Sequence, residues 1–150
     1  MCWAMSRPDY ARRMRLFLVR HAEAAPGEPD ELRPLNAAGR AVARHLGARL
    51  ATQHPDSVVS SPLLRARETA ELIARAAGVT PEADEHLAPG ATVEDLKAAI
   101  ANRGNTVVAI GHQPDCSAIV FALTGRERVF APGAVHELQL DDVGSTESGT

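Results

Sequence analysis

The chain has 150 residues and a mass of 15.9 kDa, which fits one domain and leaves little room for two. Hydrophobic residues make up 45% and charged residues 23%, which excludes a mostly disordered or collagen-like chain. A net charge of -3 and a pI of about 6.1 supply no basic field for nucleic acid or anionic membrane, and 2 cysteines cannot frame a disulfide-rich fold.

No apolar run approaches the roughly 18 residues needed to cross a bilayer. The start of the chain lacks the apolar stretch of a secretory signal, so no membrane association and a cytoplasmic location are expected. Residues 1–13 show no periodicity and are expected to form a disordered extension. Met14, directly before an apolar strand, reads equally well as a start. Residues 14–140 are the expected folded domain, and 141–150, rich in Gly, Ser, Thr and acid, a flexible tail.

Leu16-Phe17-Leu18-Val19 is a short apolar run, as in a strand covered on both faces. Asn36 can cap a helix reaching about Thr52, with Val42, Leu46 and Leu50 spaced for its buried side. Ser57 to Ser60 is a second short strand. Ser61-Pro62 reads as the start of a helix with Leu63, Ala66, Ala70, Ile73 and Ala77 on its apolar stripe and Gly78 at its end. Thr92 opens a helix that runs to about Asn102, and Thr106 to Ile110 is the clearest strand. A further helix follows Gly111 to Pro114 and stops near Gly125, and Gly133 to Leu140 reads as the last strand. Strands alternating with helices predict an α/β three-layer sandwich with a mostly parallel central sheet.

In such sheets ligands bind beyond the carboxyl ends of the strands. Three expected strand ends carry notable residues: Arg20-His21, Ser60-Ser61-Pro62 followed by Arg65, and Gly111-His112. Parallel strands would bring these ends to one rim. Arginine is permanently charged and forks onto phosphate oxygens. A neutral imidazole, with its other nitrogen held by a carbonyl, presents a lone pair for attack. A second histidine can donate to a phosphoryl oxygen as charge spreads over the group. The combination therefore suits phosphoryl transfer through a histidine.

The same residues carry a resemblance. Leu18-Val19-Arg20-His21-Ala22-Glu23 resembles the Arg-His-Gly signature of the histidine phosphatase superfamily, the phosphoglycerate mutase-like fold. Ser60-Ser61-Pro62-Leu63-Leu64-Arg65-Ala66-Arg67-Glu68-Thr69-Ala70 is similar to its second motif and Gly111-His112-Gln113-Pro114 to its third. Asp30-Glu31-Leu32-Arg33-Pro34-Leu35, then Gly39, resembles the Arg-Pro-Leu-Thr segment of the short SixA-type phosphohistidine phosphatases. The resemblance implies that His21 is the nucleophile, that Arg20, Arg65 and His112 line the phosphate pocket, and that Arg33 reaches in from its loop. Arg67 sits roughly 200° round the helix from Arg65, so the two cannot face the pocket equally, and the motif selects Arg65. The family needs no metal or other cofactor. It also implies a phosphohistidine-bearing protein, or a small phosphorylated metabolite, as partner, and a monomer or weak dimer is expected.

Two departures stand out. Ala22 replaces the signature's glycine and would cost about 1 kcal/mol if the backbone there were strained. No carboxylate matches the family's general acid, for which Asp84, Glu85 and His86 are the nearest candidates, with Glu85 and His86 also expected as substrate contacts. A phosphoramidate needs that acid less, because its leaving imidazole can depart neutral when the other ring nitrogen is protonated. Alternatives are a small-molecule phosphatase of broad specificity, a non-catalytic phosphate-binding module, a mutase, for which the chain lacks room for enclosing insertions, and a metal-dependent hydrolase. Glu23 reads equally as an orienting or a surface carboxylate. His45, His54 and His136 are expected to be structural or exposed, and Cys116 to be a small buried hydrophobe.

Overall fold

The computed structural model describes residues 13–141. Nearly all of the expected extension and tail, residues 1–12 and 142–150, lie outside the described residues. The strands are β1 (Met14–Arg20), β2 (Ser57–Ser60), β3 (Pro81–Ala83), β4 (Thr106–Gly111) and β5 (Val135–Leu140). The helices are α1 (Ala37–Ala51), α2 (Leu64–Ala77), α3 (Val93–Ile100) and α4 (Asp115–Thr124). Short 3-10 turns occupy Asp30–Leu32 and Glu85–Leu87.

The strands form one sheet in the order β3-β2-β4-β1-β5. The first four run parallel, and β5 closes the edge antiparallel to β1. Alternation along each central strand sends successive side chains to opposite faces. Phe17 and Val19 of β1, with Val108 and Ile110 of β4, pack under Leu46 and Leu50 of α1 and Ala66, Ala70 and Ile73 of α2. Leu16 and Leu18, with Val107 and Ala109, pack on the other face against Leu96 and Ile100 of α3 and Ile119, Val120 and Leu123 of α4. Each fully buried Leu, Ile or Val stabilises the fold by roughly 1.5–3 kcal/mol. With few aromatic residues, the two cores are built from branched aliphatics and alanine. The result is the expected three-layer sandwich with a mostly parallel sheet.

Local signals fix several boundaries. The Asn36 side chain accepts from the Gly39 N–H at 2.7 Å and starts α1. Thr92 and Asp95 form a reciprocal capping box at α3. Gly78 and Gly125 end α2 and α4 in the left-handed conformation, at φ 76° and 75°.

Other expectations are corrected. Helix α2 starts at Leu64, not at Ser61, because the Ser61 N–H still bonds the Ile110 carbonyl at 3.0 Å and keeps the chain extended. Val42 is 43% exposed, and the buried stripe of α1 is Gly39, Ala43, Leu46, Gly47 and Leu50, one residue round the helix. Helix α3 ends at Ile100 rather than near Asn102, and β5 begins at Val135 rather than Gly133. Strand β3 is unforeseen: three residues at a half-exposed edge show no readable period.

Gly39 lies where α1 crosses the segment leaving β1. A Cβ added there would fall on the backbone of Glu23, its carbonyl oxygen first. Backbone cannot step aside as a side-chain tip can. Gly39→Ala is expected to destabilise the fold by about 1–3 kcal/mol, read from the urea midpoint at unchanged slope; an unaltered midpoint would contradict this close approach.

Candidate active site

Parallel pairing places the three marked strand ends side by side. Arg20 of β1 is in register with Gly111 of β4, and Ser60 of β2 with Ile110. The ladder continues one step past the strands, as the His21 N–H bonds the Gly111 carbonyl at 3.0 Å. Beyond this rim lies a cavity of about 370 Å³ whose lining includes Arg20, His21, Glu23, Arg33, Arg65, Pro89, His112, Gln113 and Pro132.

The His21 ring is set by its own backbone neighbourhood. Its Nδ1 lies 2.8 Å from the Ala22 carbonyl, an acceptor, so Nδ1 carries the proton and Nε2 holds the lone pair. Burial lowers the His21 pKa most. The bond to Ala22 opposes this, and the guanidinium groups of Arg65, Arg20 and Arg33 lower it further. His112 meets His21 edge-on, with ring centroids 5.1 Å apart and planes at 61°. Burial first, then His21 and Arg65, push the His112 pKa down to about 4, partly countered by Asp30. Both imidazoles are therefore neutral at neutral pH, one with a free lone pair.

Ala22 bears no backbone strain. Among the described residues only His54 and Asn102 are non-glycine residues at positive φ. The Ala22 N–H instead donates to Thr69 Oγ1 at 3.1 Å, and Thr69 donates in turn to the Arg65 carbonyl at 2.8 Å. The expected cost of replacing glycine thus does not arise. That chain of bonds ties the residue after His21 to the first turn of α2.

Each arginine is held from outside the pocket. Arg20 donates through one terminal nitrogen to the Phe130 carbonyl at 2.9 Å. Its Nε is buried and has no partner. Arg65, only 8% exposed, donates to the Asp30 carbonyl at 2.9 Å and to Asp30 Oδ2 at 3.2 Å. Arg33 donates from Nε to the Ala25 carbonyl and from a terminal nitrogen to Asp30 Oδ1, both at 2.9 Å. The Asp30 carboxylate thus bridges Arg33 and Arg65, and their hydrogen bonds, Arg33's first, lower its pKa. Asp30 stands in the resembling segment, yet its partner Arg65 is 35 residues away, so sequence reading gave it no role. Arg67 is exposed, as helical geometry requires once Arg65 is buried.

Glu85 and His86 are not among the residues lining this cavity. Both are exposed on the 3-10 turn, and His86 Nδ1 is engaged by Asp84 Oδ1 at 2.8 Å. The same loop reaches the pocket through Pro89. The carboxylate at the cavity wall is Glu23. Cys116 is buried, which pushes its thiol up to about 12 and leaves it a small hydrophobe. Among the described residues, no three His, Cys, Asp or Glu side chains stand together as a metal-ligand set. Nor is any described helix long and apolar enough to cross a membrane.

Fold and pocket together define a class: a parallel α/β sandwich whose strand ends present imidazole and guanidinium groups to one cavity. The chain belongs to the histidine phosphatase superfamily, whose branch 1 model matches residues 16–89. It is 36% identical over 126 residues to an uncharacterized protein of Picosynechococcus sp., an alignment covering 75% of this chain and 76% of that one. Its structure is similar to that of the protein histidine phosphatase SixA complexed with tungstate, with a TM-score of 0.76, 30% identity, and coverage of 91% of this chain and 92% of the other. A phosphoglycerate mutase from Bacillus anthracis, 17% identical, shares the fold at a TM-score of 0.70 over 95% of each chain.

The depressed His112 pKa links to stability. Its folded value of about 4 lies below the ordinary 6.5, so the folded state disfavours the proton that the unfolded chain takes up. The contribution is complete above pH 6.5 and is lost as pH falls toward about 4. An NMR titration is expected to show the His112 ring still neutral at pH 6.5; half-protonation there would contradict the burial argument.

Proposed function

We propose that this chain is a metal-independent phosphatase of SixA type, acting on protein phosphohistidine through a covalent intermediate on His21. The observation that carries the reading is the meeting of His21, His112, Arg20, Arg33 and Arg65 at one cavity. The likeness to SixA, at 30% identity over nearly the whole chain, supports the substrate class.

In this reading the phosphoryl group seats among the three guanidinium groups, which offset its charge and turn its phosphorus toward His21. His112 donates a hydrogen bond to one of its oxygens. The His21 Nε2 lone pair forms a bond to phosphorus while the bond to the leaving nitrogen breaks. The electron pair goes to the leaving imidazole, which departs neutral because its other nitrogen carries a proton. Water then attacks phosphorus, the bond to Nε2 breaks, and the pair returns to Nε2, with the water proton passing to solvent and phosphate released. Positioning and electrostatics suffice for such a transfer, so no metal is required. Glu85 and His86, exposed on the turn before Pro89, are proposed to touch the substrate's carrier beyond the phosphate.

Four measurements test this. His21→Ala is expected to lower kcat on a phosphohistidine protein by about a thousandfold or more, and unchanged turnover would end the proposal. Excess EDTA is expected to leave the rate unaltered; loss restored by a divalent ion would make the enzyme metal-dependent. Because burial and three arginines lower the His21 pKa, the acid limb of kcat/KM should fall only below the ordinary 6.5, as protonation removes the Nε2 lone pair. Preference for sugar phosphates or nucleotides over phosphohistidine protein in kcat/KM would replace the substrate with a broad small-molecule class.

A further inference from the structure

Ser61 follows β2 and is fully buried. Its N–H bonds the Ile110 carbonyl, and its own carbonyl accepts from Ser60 Oγ at 2.9 Å. Its hydroxyl oxygen accepts the Leu63 N–H at 3.2 Å and lies 2.8 Å from His112 Nε2. A serine hydroxyl has one proton to give, and the histidine nitrogen is the acceptor the structure provides for it.

The two tautomers of His112 are therefore unequal. If Nε2 carried the proton, Ser61 Oγ would accept twice and its own O–H would be buried without an acceptor, an arrangement folded proteins avoid. If Nε2 is bare, every polar atom of Ser61 is satisfied and the ring proton sits on Nδ1. His112 lines the phosphate cavity, so Nδ1–H is the donor left for a group bound there. The two histidines then show opposite characters: His21 presents a bare Nε2, and His112 presents an N–H.

We propose that Ser61 is a positioning residue that donates its hydroxyl proton to His112 Nε2, fixes the Nδ1–H tautomer and aims that N–H at the phosphoryl oxygen. This rests on the phosphatase reading for its kinetic consequence only. A neutral donor of fixed direction at this point stabilises charge that grows on the phosphoryl oxygens during transfer, so its loss acts on kcat more than on KM.

The test combines spectroscopy with kinetics on the full chain carrying isotope-labelled histidine. Near neutral pH, with and without tungstate, the His112 nitrogen shifts are expected to report a protonated Nδ1 and a bare Nε2. Ser61→Ala should shift the ring toward the other tautomer and lower kcat on p-nitrophenyl phosphate by at least about tenfold with KM little changed. Ser61→Thr, which keeps the hydroxyl, should restore both readouts. A purely structural role would not move the tautomer. A protonated Nε2 in the parent chain overturns the proposal, as does a Ser61→Ala chain with the parent tautomer and rate. If Ser61→Ala does not fold, the parent spectrum and the Ser61→Thr rate decide. A parent chain without phosphatase activity would sink the phosphatase reading, while the tautomer would still be read in the tungstate-bound spectrum.

Discussion

The arrangement depends on the parallel pairing of β1 with β4, continued by the bond from the His21 N–H to the Gly111 carbonyl. A slip of one residue in that register would reverse the faces of β1 and bury Leu16 and Leu18 where Phe17 and Val19 now pack. The aliphatic alternation of both strands therefore fixes the register. The register in turn fixes where the residues after Val19 and Ile110 emerge. Two histidines 91 positions apart are brought to a ring separation of 5.1 Å by hydrophobic packing well below them.

Above that foundation, the side chains lining the cavity are held mostly by carbonyl oxygens and by one carboxylate behind them, that of Asp30. The carbonyls of Ala22, Ala25, Asp30 and Phe130 each accept a hydrogen bond from a ring or guanidinium N–H. A carbonyl carries no net charge, so it orients a cation without cancelling it. Asp30 is the exception, spanning Arg33 and Arg65 and offsetting part of their charge. The pocket thus keeps a net positive charge, three guanidinium groups against the carboxylates of Asp30 and Glu23, while its donors are ordered, a pre-organised condition for receiving an oxyanion.

Much of this was legible in the chain. The strand ends were readable because apolar runs stop abruptly at Arg20, Ser61 and Gly111, and a parallel sheet gathers its carboxyl ends. Asn36 and Thr92 announced helix starts through side chains that can accept an N–H. What could not be read depends on contacts between distant segments. The Asp30 bridge needs Arg65 from another element. The Phe130 carbonyl has no side-chain signature at all. Ser61 suggested a helix cap, since nothing local reveals that β4 keeps it extended and His112 stands beside it. Glu85 and His86 drew notice by residue type, whereas it is Pro89 of their loop that reaches the cavity wall. Val42 and Ala43 show the same limit on a smaller scale, as a helix of small residues tolerates a rotation that apolar counting does not resolve.

The central claim is chemical: phosphate resides transiently on one named nitrogen. Rapid quenching of turnover in alkali, where phosphorus–nitrogen bonds persist, followed by peptide mapping, tests it directly. The account predicts a base-stable, acid-labile phosphoryl group on the peptide containing His21, appearing and decaying at rates compatible with turnover. A label on a different side chain, or turnover with no labelled protein under conditions that trap a phosphoenzyme, would contradict it.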